Sequence, residues 1–147
     1  MNLYFYRVKH WTVIDGDTLD LTIDLGFDTL ATRRVRLMGI NTPESHHRAS
    51  DAEQKKGRRA KQFLTSSLAS IHAHGIFIQT HRIKRRSGEI DERTGKYGRY
   101  MATLWIRGET GELIDVNMAL VANGHANLYT GGKRPAEWEW LGTGQLG

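Results

Sequence analysis

The chain has 147 residues, 39% of them hydrophobic, one domain's worth of sequence with enough apolar surface for a core. It contains no cysteine, which excludes disulfides, thiolate metal sites and cysteine nucleophiles. Lysine and arginine number 21 against 16 aspartates and glutamates, a formal charge of +5 and a pI near 9.7, and this balance favours a polyanionic partner through attraction and counterion release.

The opening segment, Met1 to Arg7, holds a brief apolar patch without a basic start or a small-residue cleavage site, and nothing downstream approaches membrane-spanning length. As given, the chain reads as soluble and intracellular. Tyr4 to Ile14 is rich in aromatic and β-branched residues. Thr18 to Leu25 alternates, with Leu19, Leu21 and Ile23 on one face, and Thr29 to Met38 returns after the turn at Gly26-Phe27-Asp28. Three strands so close in sequence predict an antiparallel meander.

A helix follows. Ser50 and Glu53 form a capping box, and Ala60, Phe63, Leu64 and Leu68 recur at helical spacing, with Lys55, Lys56, Arg58, Arg59 and Lys61 outward. Gly57 weakens its first turns. Gly75 precedes a fourth strand, Ile76 to Lys84. Arg85 to Gly98 is polar and charged and reads as a long surface loop. Tyr100 to Ile106 is a fifth strand, followed by a turn at Gly108 to Gly111. A second helix starts near Asp115 as N-cap and stops at Gly124, and His125 to Tyr129 reads as a short extended piece. The tail from Gly131, with Trp138 and Trp140, receives no assignment. The pattern suits an α+β domain over residues 1–147: a five-stranded OB-type barrel with two to three helices.

Three polar groups could carry chemistry. Asp15-Gly16-Asp17-Thr18 sets two carboxylates at a strand start, where hard cations find oxygen ligands, although Asp-Gly is also a common turn dipeptide. In the second group Arg36 alternates with Val35 and Leu37. Asn41 then offers a carbonyl oxygen, Thr42 a hydroxyl and a main-chain carbonyl, and Glu44 a carboxylate, with Pro43 pushing Thr42 into an extended shape. A strand, a proline turn and an exposed acid would look the same. The third group is Gly95-Lys96-Tyr97-Gly98-Arg99, suited to phosphate and sugar or base contacts, or simply a surface turn. Together they fit phosphodiester hydrolysis. That reaction uses a metal on the phosphoryl oxygen, a carboxylate for the water, and guanidinium groups for charge growing on equatorial oxygens.

In this order the groups resemble the staphylococcal nuclease (thermonuclease) family. The resemblance rests on Val13-Ile14-Asp15-Gly16-Asp17-Thr18, Val35-Arg36-Leu37 with Thr42-Pro43-Glu44, Lys96-Tyr97-Gly98-Arg99, and the Leu113 to Gly124 segment. It implies an OB-type barrel and calcium-dependent cleavage of DNA and RNA that leaves 3′-phosphate ends. Carried over, it implies Asp17 and Thr42 (through its carbonyl) as calcium ligands and Glu44 as the carboxylate that activates water. Arg36 and Arg99 would bind the scissile phosphate, Lys96 and Tyr97 the neighbouring nucleotide's phosphate, and Tyr129 would line the nucleotide pocket. Asn41 stands where the family usually has a second aspartate ligand. The expected consequence is weaker calcium binding; Asp15, Asp20 and Asp24 are near in sequence and could compensate, though nothing in the sequence places them in the site.

The histidines His46, His47, His72, His74 and His81 show no ligand spacing for zinc. Expected, then, is a monomeric, calcium-dependent endonuclease acting on DNA or RNA. The alternatives are an OB-type module that binds nucleic acid without cutting it, and an interaction module that uses the tryptophan tail.

Overall fold

The computed structural model describes residues 3–45, 49–70, 73–81, 83–84, 90–91, 93–94 and 99–129. Eleven strands occur among these: β1 (Phe5–Asp15), β2 (Thr18–Asp24), β3 (Leu30–Leu37), β4 (Ile40–Asn41), β5 (Ile76–Thr80), β6 (Ile83–Lys84), β7 (Ile90–Asp91), β8 (Arg93–Thr94), β9 (Arg99–Arg107), β10 (Leu113–Asp115) and β11 (Asn127–Leu128). Two helices join them, α1 (Asp51–Ala69) and α2 (Val116–Ala122).

The predicted meander is present: β1 pairs antiparallel with β2, and β2 with β3. β3 then pairs parallel with β9, β9 antiparallel with β5, and β5 antiparallel with β1. The five long strands therefore close into a mixed barrel, which leaves no open edge along the circuit. Alternation explains what is inside. Leu19, Leu21 and Ile23 of β2, Val35 and Leu37 of β3, and Leu104 of β9 are buried, and Leu64 and Leu68 of α1 and Val116 and Leu120 of α2 join the same core. Each fully buried leucine contributes about 1.5–3 kcal/mol.

The helix ends follow their caps. Ser50 Oγ accepts from the Glu53 N–H at 3.2 Å, and Asp115 Oδ1 accepts from the Met118 N–H at 3.1 Å. Gly124, at φ +86°, closes α2 as expected. Among the described residues no helix is long and apolar enough to cross a membrane.

The region after Gly75 departs from expectation. The fourth strand ends at Thr80, which faces Ala102 in the last pair with β9 and whose N–H donates to Tyr4 O at 3.0 Å, just before β1 begins; beyond Ala102, β9 pairs with β8 instead. Ile83–Lys84 pairs instead with Ile90–Asp91. Arg93–Thr94 pairs with Arg99–Tyr100, so part of the expected loop extends the barrel. β10 is a further strand, added to β9 by the turn at Gly108 to Gly111. The tail with Trp138 and Trp140 lies outside the described residues.

Candidate functional site

Asp17 sits in the corner between β1 and β2, 7% exposed. A buried carboxylate is costly unless it is paired and hydrogen-bonded, and here it is both. Oδ1 accepts from Thr18 Oγ1 at 3.0 Å and Oδ2 from the Thr42 N–H at 3.1 Å. The Arg36 Nη2 atom lies 3.3 Å from Oδ2. The Asp17 carbonyl takes the Leu37 N–H at 2.8 Å, which ties this corner to β3. Gly16 is required here: a Cβ would fall 2.8 Å from both Ala60 Cβ and Thr42 Oγ1.

Thr18 pairs with Arg36 across β2 and β3, which brings the arginine over the same corner. Its guanidinium is held on three sides. Nη1 donates to Leu37 O at 2.8 Å, and Nη2 meets Asp17 and also donates to Asn41 Oδ1. Asn41 reaches that position because the chain reverses at Gly39, φ +81°, and re-enters as β4. Asn117 secures the reversal. Its Nδ2 donates to Met38 O at 3.0 Å and Ala102 O at 3.1 Å, while its Oδ1 accepts from the Leu104 N–H at 3.1 Å. β11 pairs with β4, Asn127 opposite Asn41, and the Tyr129 N–H donates to Gly39 O at 2.7 Å. The main chain of Tyr129 is thus held beside the turn that positions Asn41.

Glu44 is half-buried. Its main chain lies directly on α1, where a Cβ on Gly57 would fall 2.5 Å from Glu44 C and O and 2.7 Å from Pro43 O. On the other side Ser45 Oγ donates to Asp15 Oδ1 at 2.8 Å, and the same oxygen accepts from the Gly16 N–H at 3.0 Å. Gly57 and Asn117 carry no chemistry, yet they fix where Glu44 and Asn41 stand. Sequence reasoning took Gly57 only as a weak spot in a helix and passed over Asn117. The one available signal was a glycine inside a run with good helix formers on either side.

Arg99 begins β9 and lines an open groove of about 530 Å³ with Asp15, Thr18, Arg34 and Tyr100. The structure therefore gathers Asp17, Arg36, Asn41 and Thr42 into direct contact, and sets Arg99 on the groove that Thr18 and Asp15 share. Lys96 and Tyr97 lie outside the described residues.

The oxygens of Asp17, Asn41 and Thr42 are hard donors of the kind calcium takes. They bring one negative charge, and the Arg36 guanidinium already offsets it. Among the described residues no three histidines, cysteines, aspartates or glutamates converge on a metal position. The compensating carboxylates expected nearby are engaged elsewhere. Asp20 binds Arg34 bidentately at 2.7 and 2.9 Å, which holds its pKa below the usual carboxylate range. Asp24 accepts from the Gly26 N–H and lies 4.0 Å from Lys9, and Asp15 holds Ser45. Of the histidines, His81 bonds Thr103 Oγ1 at 2.8 Å. His46, His47 and His72 lie outside the described residues.

Comparison with known proteins bears on this arrangement. The chain is similar to Protein ParB of Escherichia coli, 31% identical over 134 residues that cover 88% of the chain and 60% of that protein. It is also similar to the uncharacterized protein MJ1439 of Methanocaldococcus jannaschii, 26% identical over 139 residues that cover 84% of the chain and 59% of that protein. The chain thus spans about 60% of the length of these curated relatives. A family model described as staphylococcal nuclease homologue matches residues 34–139, which includes Arg36, Asn41, Glu44 and Arg99. With this match over most of its length, on a closed barrel with two helices, the chain belongs to the staphylococcal nuclease homologue family.

Proposed function

We propose that this chain is a calcium-dependent phosphodiesterase that cuts DNA and RNA. The observation that carries the reading is the Arg36 guanidinium, held in fixed orientation beside Asp17 and Asn41 and next to the loop that bears Glu44. A guanidinium fork can pair with two phosphoryl oxygens at once, and a bound phosphate would take over bonds that Arg36 now makes to Leu37 O and Asn41. Asp17, Asn41 and the Thr42 carbonyl would hold the cation, which when bound withdraws charge from a phosphoryl oxygen.

In the proposed reaction Glu44 accepts a proton from water as the water oxygen bonds to phosphorus. The bond from phosphorus to the leaving sugar oxygen breaks, and that oxygen takes up a proton from solvent water. Arg36 and Arg99 donate to the equatorial oxygens, whose charge grows toward the transition state. Lys96 and Tyr97 would contact the neighbouring nucleotide's phosphate, and Tyr129 would line the nucleotide pocket.

One observation favours a second reading, a barrel that binds nucleic acid without cutting it. Asn41 supplies no charge to the cation site and is itself engaged by Arg36. Incubation of the protein with linear, circular and single-stranded DNA and with RNA, in calcium, magnesium or chelator, separates the two. The expected result is calcium-dependent cleavage that falls about 10²- to 10⁴-fold in Glu44→Gln, the range for loss of a general base. Cleavage that survives chelator or the Glu44→Gln change overturns the mechanism. Binding without cleavage in any metal selects the second reading.

A further inference from the structure

Arg33 also lines the groove that Arg99 shares with Arg34 and Tyr100. Arg34 brings little free charge, because Asp20 grips it with two hydrogen bonds across β2 and β3. Arg33 differs. It is exposed and donates only to the neighbouring Thr32 carbonyl, at 2.8 Å, and among the described residues no carboxylate pairs with it. Arg33 and Tyr100 also line an adjoining recess of about 260 Å³, together with Tyr6, Leu25 and Thr80. A cation without a counter-ion therefore stands at the rim of a small, largely apolar hollow.

Arg33 precedes Arg36 by three positions on β3, roughly 10 Å at the usual strand rise. An odd separation also places the two side chains on opposite faces of the strand, so they do not converge on one phosphate. We infer that Arg33 binds a second phosphate of the substrate strand, outside the scissile one, and that the recess beside Tyr100 seats the base of that nucleotide. Only an unpaired base enters such a hollow, and an aromatic wall suits it without regard to sequence. The inference rests on reading the chain as a protein that acts on nucleic acid, and it concerns the reach of the site along the strand.

The test is fluorescence anisotropy with a labelled thymidine dodecamer and a labelled dinucleotide, in chelator and across a potassium chloride series. Wild-type protein, Arg33→Ala and Arg33→Lys are compared, each checked for an unchanged thermal melt. Removing one phosphate contact lowers the slope of log K against log salt by about 0.7 for a single strand. That loss is expected for the dodecamer in Arg33→Ala and not for the dinucleotide, with the slope restored in Arg33→Lys. An abasic dodecamer, equal in charge, is expected to bind wild type more weakly than the thymidine dodecamer. An unchanged dodecamer slope in Arg33→Ala, or an equal loss on both ligands, overturns the second phosphate contact. Equal binding of the abasic strand overturns the base seat. Cleavage in calcium is read on the same samples. Cleavage with an unchanged slope leaves the proposed activity standing alone, and the expected slope change without cleavage leaves the contact standing alone.

Discussion

Gly57→Ala separates two opposite expectations for one residue. In an ordinary helix interior, replacing glycine by alanine stabilises by about 1 kcal/mol. Gly57 is buried, and the added Cβ would lie 2.5 Å from the carbonyl carbon and oxygen of Glu44 and 2.7 Å from Pro43 O. Ordinary contact begins near 3.4 Å, so α1 and the Pro43–Glu44 segment must separate by nearly an ångström. The atoms in the way are main chain and cannot rotate aside. Overpacking of this kind costs about 1–3 kcal/mol, and the upper part of that range applies because backbone has to move. The net expectation is a loss of about 1–2 kcal/mol, read as a lower urea midpoint. The proposed cleavage is expected to suffer more than stability, since moving a group that takes part in the reaction by about 1 Å costs on the order of 10²-fold in rate. If Gly57→Ala melts higher than wild type and cleaves at the same rate, the contact between α1 and Glu44 is not as described and the argument fails.

Asn117→Leu removes three hydrogen bonds and leaves the buried Leu104 N–H and the part-buried Met38 O without this partner. The expected loss is about 2–4 kcal/mol in denaturant unfolding, and a loss below about 1 kcal/mol would show that Asn117 is not the tie proposed. His81 and His125 both titrate below the ordinary 6.5, each mainly because burial disfavours its charged form, with Arg59 adding repulsion at His125. Between the folded and unfolded values the unfolded chain binds more protons, so stability is full above about 6.5 and falls as pH drops through that value. The urea midpoint is therefore expected to decline as pH falls below about 7, and to decline less in the His81→Gln/His125→Gln variant; equal slopes refute the assignment. Asn41→Asp adds a second carboxylate to the proposed cation site and is expected to lower the calcium midpoint for cleavage roughly tenfold. Calorimetric titration with calcium reads the same change without turnover, and an unchanged midpoint sinks that view of Asn41.

Much of this was legible in the residues, for reasons that are local. The period-two pattern of Leu19, Leu21 and Ile23 marks a strand buried on one face, and that is how β2 packs. The capping signals at Ser50 and Asp115 and the stop at Gly124 act within one turn of chain. What escaped is long-range. Thr80 ends its strand where β1 is just beginning and where β9, past Ala102, pairs with β8 instead, not because of its own type. Asn117 looked like any polar residue in an amphipathic helix, although its amide reaches a carbonyl 79 positions away. Gly57 looked like a helix weakness, because nothing in the run Lys55-Lys56-Gly57-Arg58 reveals that the chain at Glu44 lies against it. The aspartates beside Asp17 read as a charge reserve, whereas strand pairing gives Asp20 to Arg34 and loop packing gives Asp15 to Ser45.

The charge at the centre of the site has a further consequence for the proposed reaction. Asp17 contributes −1 and Arg36 contributes +1, and Asn41 contributes nothing, so the trio is neutral while its charged side chains are only 9% and 11% exposed. A divalent cation entering that corner would raise it to +2, which is unfavourable where little water remains to screen it. A phosphodiester brings a negative charge to the same place and offsets part of that excess. Cation and substrate would therefore each bind better in the presence of the other, and by equal factors, since the coupling between two ligands is reciprocal. An aspartate at position 41 would weaken this dependence by lowering the charge before substrate arrives. In the proposed reaction the asparagine thus bears less on the phosphate chemistry, assigned there to Arg36, Glu44 and Arg99, than on the order in which the site fills.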